Sequence, residues 1–262
     1  MESAAQSFRH VVRLEKVEMT FGKVQALSNV DFAVGRNEIV GLLGDNGAGK
    51  STLIKIVSGL LRPTAGNVWV RDRPQDPDQY SVRKAHDLRI ETVHQGQTLG
   101  EKQPLWRNLF VGRQITGRFG FIDVKKEKEI ADQLLRRAIG FRGHGITADS
   151  TVLDLSGGER QGIAIARAMY FEADLIVLDE PTTALAVSEV RKVLAFVEGV
   201  KAGGHACIYI EHNLAHVHEI ADRLVILDRG RVVRDIKKGE MSLVELTRQM
   251  IALHEERPDA RA

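Results

Sequence analysis

Cysteine is nearly absent: Cys207 is the single one in 262 residues, so no disulfide can form within the chain. It lies in the apolar run Ala206-Cys207-Ile208-Tyr209-Ile210, and a buried lone thiol fits a reducing compartment. Long hydrophobic runs are missing too. No stretch of eighteen apolar residues occurs, so no segment is expected to cross a bilayer as a helix. Met1–His10 lacks the apolar stretch of a secretory leader, and 1–10 reads as a loose tail. Charge of one sign is also lacking. Lys and Arg total 37 against 35 Asp and Glu, a net of +2, which argues against a nucleic-acid partner. What remains is a chain 43% hydrophobic and 27% charged, long enough for one large α/β domain or two small ones.

The hydrophobic pattern divides the chain. Segments Val12–Met19 and Val24–Val34 alternate like antiparallel strands. Glu38–Leu43 is a short, nearly continuous apolar run, as in a strand buried on both faces, and a helix is expected over Ser51–Leu60. Asn67–Val70 and Leu88–His94 read as further strands. The charged, proline-bearing stretch 72–87 between them reads as surface loop. From about 96 to 160 helical spacing takes over. Ile130, Leu134, Leu135, Ala138 and Ile139 share one helical face, and the stretch reads as an inserted helical subdomain. Leu175–Leu178 and Ala206–Ile210 are again buried strands, with a helix at Val190–Val200 between them. Leu224–Leu227 and Val232–Ile236 flank Asp228-Arg229-Gly230 as a hairpin, and 242–252 reads as a last helix before a frayed end. Strands alternating with helices predict an α/β fold with a mainly parallel sheet covered on both sides.

Three clusters carry chemistry. Gly44-Asp45-Asn46-Gly47-Ala48-Gly49-Lys50-Ser51 satisfies G-x-x-x-x-G-K-[ST], with a buried strand before it and an apolar helix, starting Ser51-Thr52, after it. Such a loop curls its N–H groups toward phosphate oxygens, and a helix N-terminus adds positive potential. Lys50 supplies a charge to the outer phosphates, and Ser51 a hydroxyl to Mg²⁺. Leu175–Leu178 delivers Asp179 and Glu180 at a strand's C-terminal end, where α/β sheets place ligands. Asp179 suits the Mg²⁺ water shell and Glu180 an attacking water. Leu155-Ser156-Gly157-Gly158-Glu159 opens a helix whose N–H groups can face an anion. It is equally a capped helix start, with Ser156 as N-cap and Glu159 at the capping-box position.

Leu155-Ser156-Gly157-Gly158-Glu159-Arg160-Gln161 resembles the signature motif of ABC ATPases and precedes the Asp179 strand as it does there. The resemblance covers about 12–240. It implies a P-loop NTPase (RecA-like) core with an antiparallel β subdomain and an inserted α-helical subdomain, and an ATPase using ATP and Mg²⁺. It also implies an ABC domain over 11–240 and a C-terminal helix and tail over 241–262. It makes Phe21 an adenine-stacking ring, although an ordinary strand aromatic competes. Gln95 becomes a contact to Mg²⁺ and water, and His212 the switch histidine at the γ-phosphate. His212 and His216, four apart, also raise a zinc site, but the Glu of a zinc-protease motif is missing.

Two positions depart from the family pattern: Ala186 where many members carry Asp, and Glu211 where Ser or Thr is usual before the histidine. Beside His212, Glu211 is expected to favour the protonated imidazole. Three phrases, Leu42–Lys55, Glu180–Val187 and His212–Val217, look like the single-cassette ATPases of bacterial monosaccharide importers for ribose, xylose or fructose. The implied partners are a second ATPase subunit, most simply a homodimer, integral-membrane permease subunits, and indirectly a periplasmic sugar-binding protein. The place is the cytoplasmic face of the inner membrane. Ser156, Gly157 and Gly158 of one copy would complete the ATP site of the other. The permease would act near Gln95–Phe110, with Trp106 and Leu109 as docking or core residues. Branched-chain amino acids as the cargo, or a soluble ABC ATPase acting on DNA or ribosomes, are the alternatives.

Overall fold

A computed structural model describes residues 8–93, 100–139 and 145–255. The chain opens with two long antiparallel strands, β1 (His10–Phe21) and β2 (Val24–Gly35), followed by β3 (Ile39–Leu43) and α1 (Lys50–Val57). Next come β4 (Ala65–Val70), β5 (Arg73–Pro74), α2 (Val82–Asp87) and β6 (Ile90–Val93). Helices α3 (Leu105–Phe110), α4 (Val124–Ile139) and α5 (Gly157–Tyr170) follow. The chain then alternates β7 (Leu175–Asp179), α6 (Val187–Ala202), β8 (Ala206–Ile210) and α7 (Leu214–Ile220). It ends in the hairpin β9 (Arg223–Asp228) and β10 (Arg231–Lys237) and the helix α8 (Leu243–Glu255).

Two sheets result. One is antiparallel, in the order β2-β1-β4-β5. The other has the order β10-β9-β3-β8-β7-β6 and is parallel except for the β9–β10 hairpin. The wholly buried strands β3 and β8 lie side by side at its centre, which is why both read as unbroken apolar runs. Cys207 on β8 is fully enclosed, and burial pushes its thiol far above the ordinary range, so it is no nucleophile.

The structure corrects the sequence reading at several points. The stretch 72–87 is not loop throughout: it holds β5 and α2, the latter capped by Ser81, whose hydroxyl accepts from the Lys84 N–H at 3.4 Å. The tail reading of 1–10 fails at its end, because His10 opens β1 and the ring of Phe8 packs against the core. The boundary at 160 falls inside α5, an unbroken helix whose Ile163 belongs to the helical subdomain's core. Trp106 and Leu109 are 7% and 2% exposed in that core, so they hold the subdomain together and offer no docking face. The C-terminal helix α8 packs onto the domain: Leu246 is fully buried against the parallel sheet's second core, with Met250 and Leu253 packed alongside.

A close approach between layers sets one testable limit. A Cβ built on Gly41, in the middle of β3, would lie 2.2 Å from Val217 Cγ1 of α7 and 3.2 Å from Ala221 Cβ. Overfilling such a contact costs about 1–3 kcal/mol. Gly41→Val is therefore expected to lower unfolding stability by at least about 2 kcal/mol in urea melts, far more than a surface substitution does.

Candidate active site

Register builds the site. Leu42 of β3 and Asp179 of β7 both pair with Ile210 of β8, so the three strands reach their C-terminal edge in one row. Just beyond that row stand Gly44, Glu180 and the pair Glu211-His212. The phosphate loop, the acid and the histidine meet there although the loop lies more than a hundred residues before the other two in sequence.

The loop from Gly44 to Ser51 is shaped by its glycines. Gly49 has φ 107°, and a Cβ there would lie 2.8 Å from the Ala26 carbonyl, so only glycine fits where the loop passes over β2. It is the N-cap of α1 and provides no side-chain cap, leaving the first N–H groups of the helix turned to the loop's interior. Ala48 is buried, and its N–H donates to the Asp45 carbonyl at 3.1 Å. The Ala48 carbonyl in turn accepts from the Gly230 N–H at 2.9 Å, so the β9–β10 turn props the loop. The Lys50 ammonium lies inside the curl, donating to the Gly44 and Asp45 carbonyls at 2.6 and 3.0 Å. Ser51 is exposed at the helix start, beside Thr52. Asn46 and Gly47 form the loop's crest, where the Asn46 N–H is 2.7 Å from the Asp45 carboxylate.

Glu180 follows β7 with φ 50°, a left-handed conformation that costs a non-glycine residue energy and is typical of functional positions. It is fixed by its N–H donating to the Ile210 carbonyl at 2.9 Å. One carboxylate oxygen meets Nε2 of His212 at 2.8 Å, and the other accepts from the Thr183 hydroxyl at 3.3 Å. Glu211 does not behave as its position suggested. Its carboxylate is buried, accepts the His212 backbone N–H at 2.8 Å and takes the Thr182 hydroxyl. The imidazole's carboxylate partner is thus Glu180, and Glu211 braces the backbone beneath the histidine. His212 and His216 do not share a helix, because α7 begins only at Leu214, capped by Asn213. Among the described residues no group of three His, Cys, Asp or Glu could hold a metal ion.

Ser156 caps α5 as its spacing predicted. Its hydroxyl accepts from the Glu159 N–H at 3.4 Å, and the Glu159 carboxylate accepts from the Ser156 N–H at 2.9 Å. Gly157 and Gly158 pack against the start of α6, where a Cβ on Gly158 would come within 2.9 Å of Glu189 Cβ. Glu189 escaped the sequence reading and takes up the backbone at Ala186 within the chain. Its carboxylate accepts from the Ala186 N–H at 3.2 Å and the Gly158 N–H at 3.5 Å. The Ala186 N–H, with Ser156 and Gly158, holds this carboxyl below its ordinary range. The helix start that lacks an aspartate is thus capped by a glutamate one turn on.

Phe21 ends β1 with its ring 46% exposed, paired across a tight turn with Val24. Gln95 lies outside the described residues. A cleft of about 360 Å³ opens beside the loop, lined by Gly44, Asp45, His212 and Asp228 and closed by α8, whose His254 meets Asp45 at 2.5 Å. The sequence placed a last helix over 242–252 but gave no sign that its end would lie against the loop.

Comparison with known proteins agrees with this geometry. The ABC transporter family matches residues 27–183. The xylose/arabinose import ATP-binding protein XylG of Sulfolobus acidocaldarius is 40% identical over 92% of the chain and 93% of its own length. The ribose import ATP-binding protein RbsA of Pseudomonas putida is 34% identical over 92% of the chain. Only 46% of its own length is covered, so the chain spans about half of that relative. A nucleotide-free ATP-binding cassette of an ABC transporter superposes over 94% of the chain with a TM-score of 0.79 at 22% identity, a likeness of fold. With a phosphate loop, an acid-tipped strand and a capped signature turn in family order, this chain belongs to the ABC transporter family.

Proposed function

We propose that the chain hydrolyses ATP to drive import of a monosaccharide through a separate membrane permease. The chemical half of this reading rests on one observation: Lys50, Glu180 and His212 converge at the ends of three adjacent strands. The sugar half rests on the 40% identity to a xylose/arabinose import subunit of nearly equal length.

In this reading ATP lies along the loop 44–52, with the Lys50 ammonium exchanging its carbonyl partners for phosphate oxygens and the adenine against Phe21. The available donors are hard oxygens, the Ser51 hydroxyl and the Asp179 carboxylate. They suit Mg²⁺, which keeps most of its waters and takes further ligands from the phosphates. When bound, Mg²⁺ neutralises phosphate charge; Ser51, Asp179 and Gln95 would hold it. Glu180 orients the attacking water and takes its proton, while His212 holds the carboxylate in place and faces the γ-phosphate. Ser156, Gly157 and Gly158 line neither the phosphate-loop cleft nor the groove beside α6 and α7. Their donors serve the ATP of a second copy, so the working form is a dimer, most simply of identical chains. The permease sits on the helical subdomain near Gln95–Phe110, on the cytoplasmic side, with a periplasmic binding protein beyond it. No nucleic acid takes part.

The test is uptake of labelled xylose, arabinose and ribose in cells lacking the gene and complemented with either the parent or Lys50→Ala. The parent is expected to restore uptake of at least one pentose and Lys50→Ala none. Restoration of pentose uptake by Lys50→Ala would end the ATP-driven reading. Unchanged uptake of every sugar on deletion, with ATPase activity intact, would end the sugar reading alone.

A further inference from the structure

We infer that the turn 117–121 of the helical subdomain is a membrane-contact element that sets Phe119 and Phe121 into the headgroup layer of an anionic bilayer. Phe119 and Phe121 are 83% and 79% exposed, and Ile122 and Val124 beside them are exposed as well. Solvent-facing phenylalanines at such density call for a partner. The turn that carries them is well built. Thr116 bridges to Ile122, Gly117 N–H donates to the Phe121 carbonyl at 2.8 Å, and Gly120 N–H to the Gly117 carbonyl at 3.0 Å. Its base is tied down by Asp123 N–H donating to the Ile115 carbonyl at 2.7 Å, and by Ile115 N–H donating to Glu127, a carboxylate only 1% exposed. The rings are thus held outward by a rooted scaffold, which keeps the ordering cost of insertion small.

Charge decides the occupant. Arg118 directly precedes Phe119 in sequence, and Lys125 and Lys126 stand exposed at the start of α4. Of the two nearest acids, Glu127 is buried, and the half-buried Asp123 is engaged as a helix cap, accepting the Lys126 N–H at 3.1 Å. A protein socket for phenylalanine is depleted of charge at its centre. Aromatic tips flanked on both sides by cations instead match the interface of an anionic leaflet, where rings enter the acyl boundary and Lys and Arg meet the phosphates. No helix among the described residues is long and apolar enough to cross a membrane, so any lipid contact made by them is peripheral. The inference stands apart from the sugar reading, because it concerns this chain alone on lipid.

The experiment is co-sedimentation of the purified full chain with vesicles of phosphatidylcholine alone, or of phosphatidylcholine with phosphatidylglycerol. The parent is expected to sediment with the anionic vesicles. The double variant Phe119→Ser/Phe121→Ser is expected to lose at least about tenfold in apparent partitioning, with basal ATPase activity and melting temperature unchanged. Phe119→Trp should show a blue-shifted emission on anionic vesicles. Failure of the parent to bind them, equal binding by the double variant, or equal binding to neutral vesicles would overturn the proposal. So would binding that appears only when the vesicles carry the permease, which would give the turn to a protein socket.

Discussion

Glu180→Gln is expected to reduce steady-state ATP hydrolysis by at least about 100-fold while ATP still binds, because a positioned general base contributes about 10²–10⁴ in rate. The substitution keeps size and shape. The amide oxygen can still face Nε2 of His212, now 2.8 Å from the carboxylate, and the backbone remains pinned by the 2.9 Å bond from the residue 180 N–H to the Ile210 carbonyl. What disappears is the negative charge that attracts a proton from water. The loss should therefore fall on kcat, with affinity for a fluorescent ATP analogue changed little, and ATP-bound dimer should accumulate in size-exclusion chromatography. Hydrolysis at the parental rate would remove Glu180 from the chemistry and with it the site built above. A folding defect is separable, because it would lower the melting temperature and analogue binding together.

How much of this was legible in one dimension depended on the range of the interaction that fixes each part. Strands buried on both faces announce themselves as apolar runs, and Ile39–Leu43, Leu175–Asp179 and Ala206–Ile210 fall close to where the pattern placed them. The phosphate loop and the Ser156 cap are local: their glycines, lysine and capping-box glutamate are neighbours in sequence as well as in space. Helices α2 and α3 are six residues each, too short to complete two turns of apolar period, so α2 was read as loop and α3 had no bounds of its own within the helical stretch 96–160. The partners of Glu211 and the capping of α6 were illegible for another reason. Thr182 and Glu211 are 29 positions apart, and Gly158 and Glu189 are 31 apart. No spacing rule joins such pairs; only the juxtaposition of strand ends and helix starts does. Reading Glu211 as the imidazole's partner failed because adjacency in sequence does not say which way a carboxylate turns. Here it turned under the backbone, toward Thr182.

Mixing two inactive variants is expected to restore activity, the second large effect. Lys50→Ala removes the ammonium that lies inside the loop, 2.6 Å from the Gly44 carbonyl. Ser156→Asp keeps a good N-cap for α5, so the helix start is preserved, but places a carboxylate where an incoming phosphate must bind. Each variant alone should hydrolyse ATP at no more than a few per cent of the parental rate, since removing one preorganised contact to a transferring phosphate costs about 10²–10³. In a mixed dimer the Ser156→Asp chain contributes an intact Lys50 loop and the Lys50→Ala chain an intact signature turn, so one of the two sites is whole. Random pairing of equal amounts makes about half the dimers mixed, and the mixture should recover about a quarter of parental activity. The effect depends on Ser156 and Lys50 acting on one nucleotide from different chains. Were both to serve the same chain's ATP, every site in the mixture would carry one defect and activity would stay at the background of the single variants. The same mixture with Glu180→Gln added to the Ser156→Asp chain should fall silent again, because the single whole site takes its catalytic base from that chain.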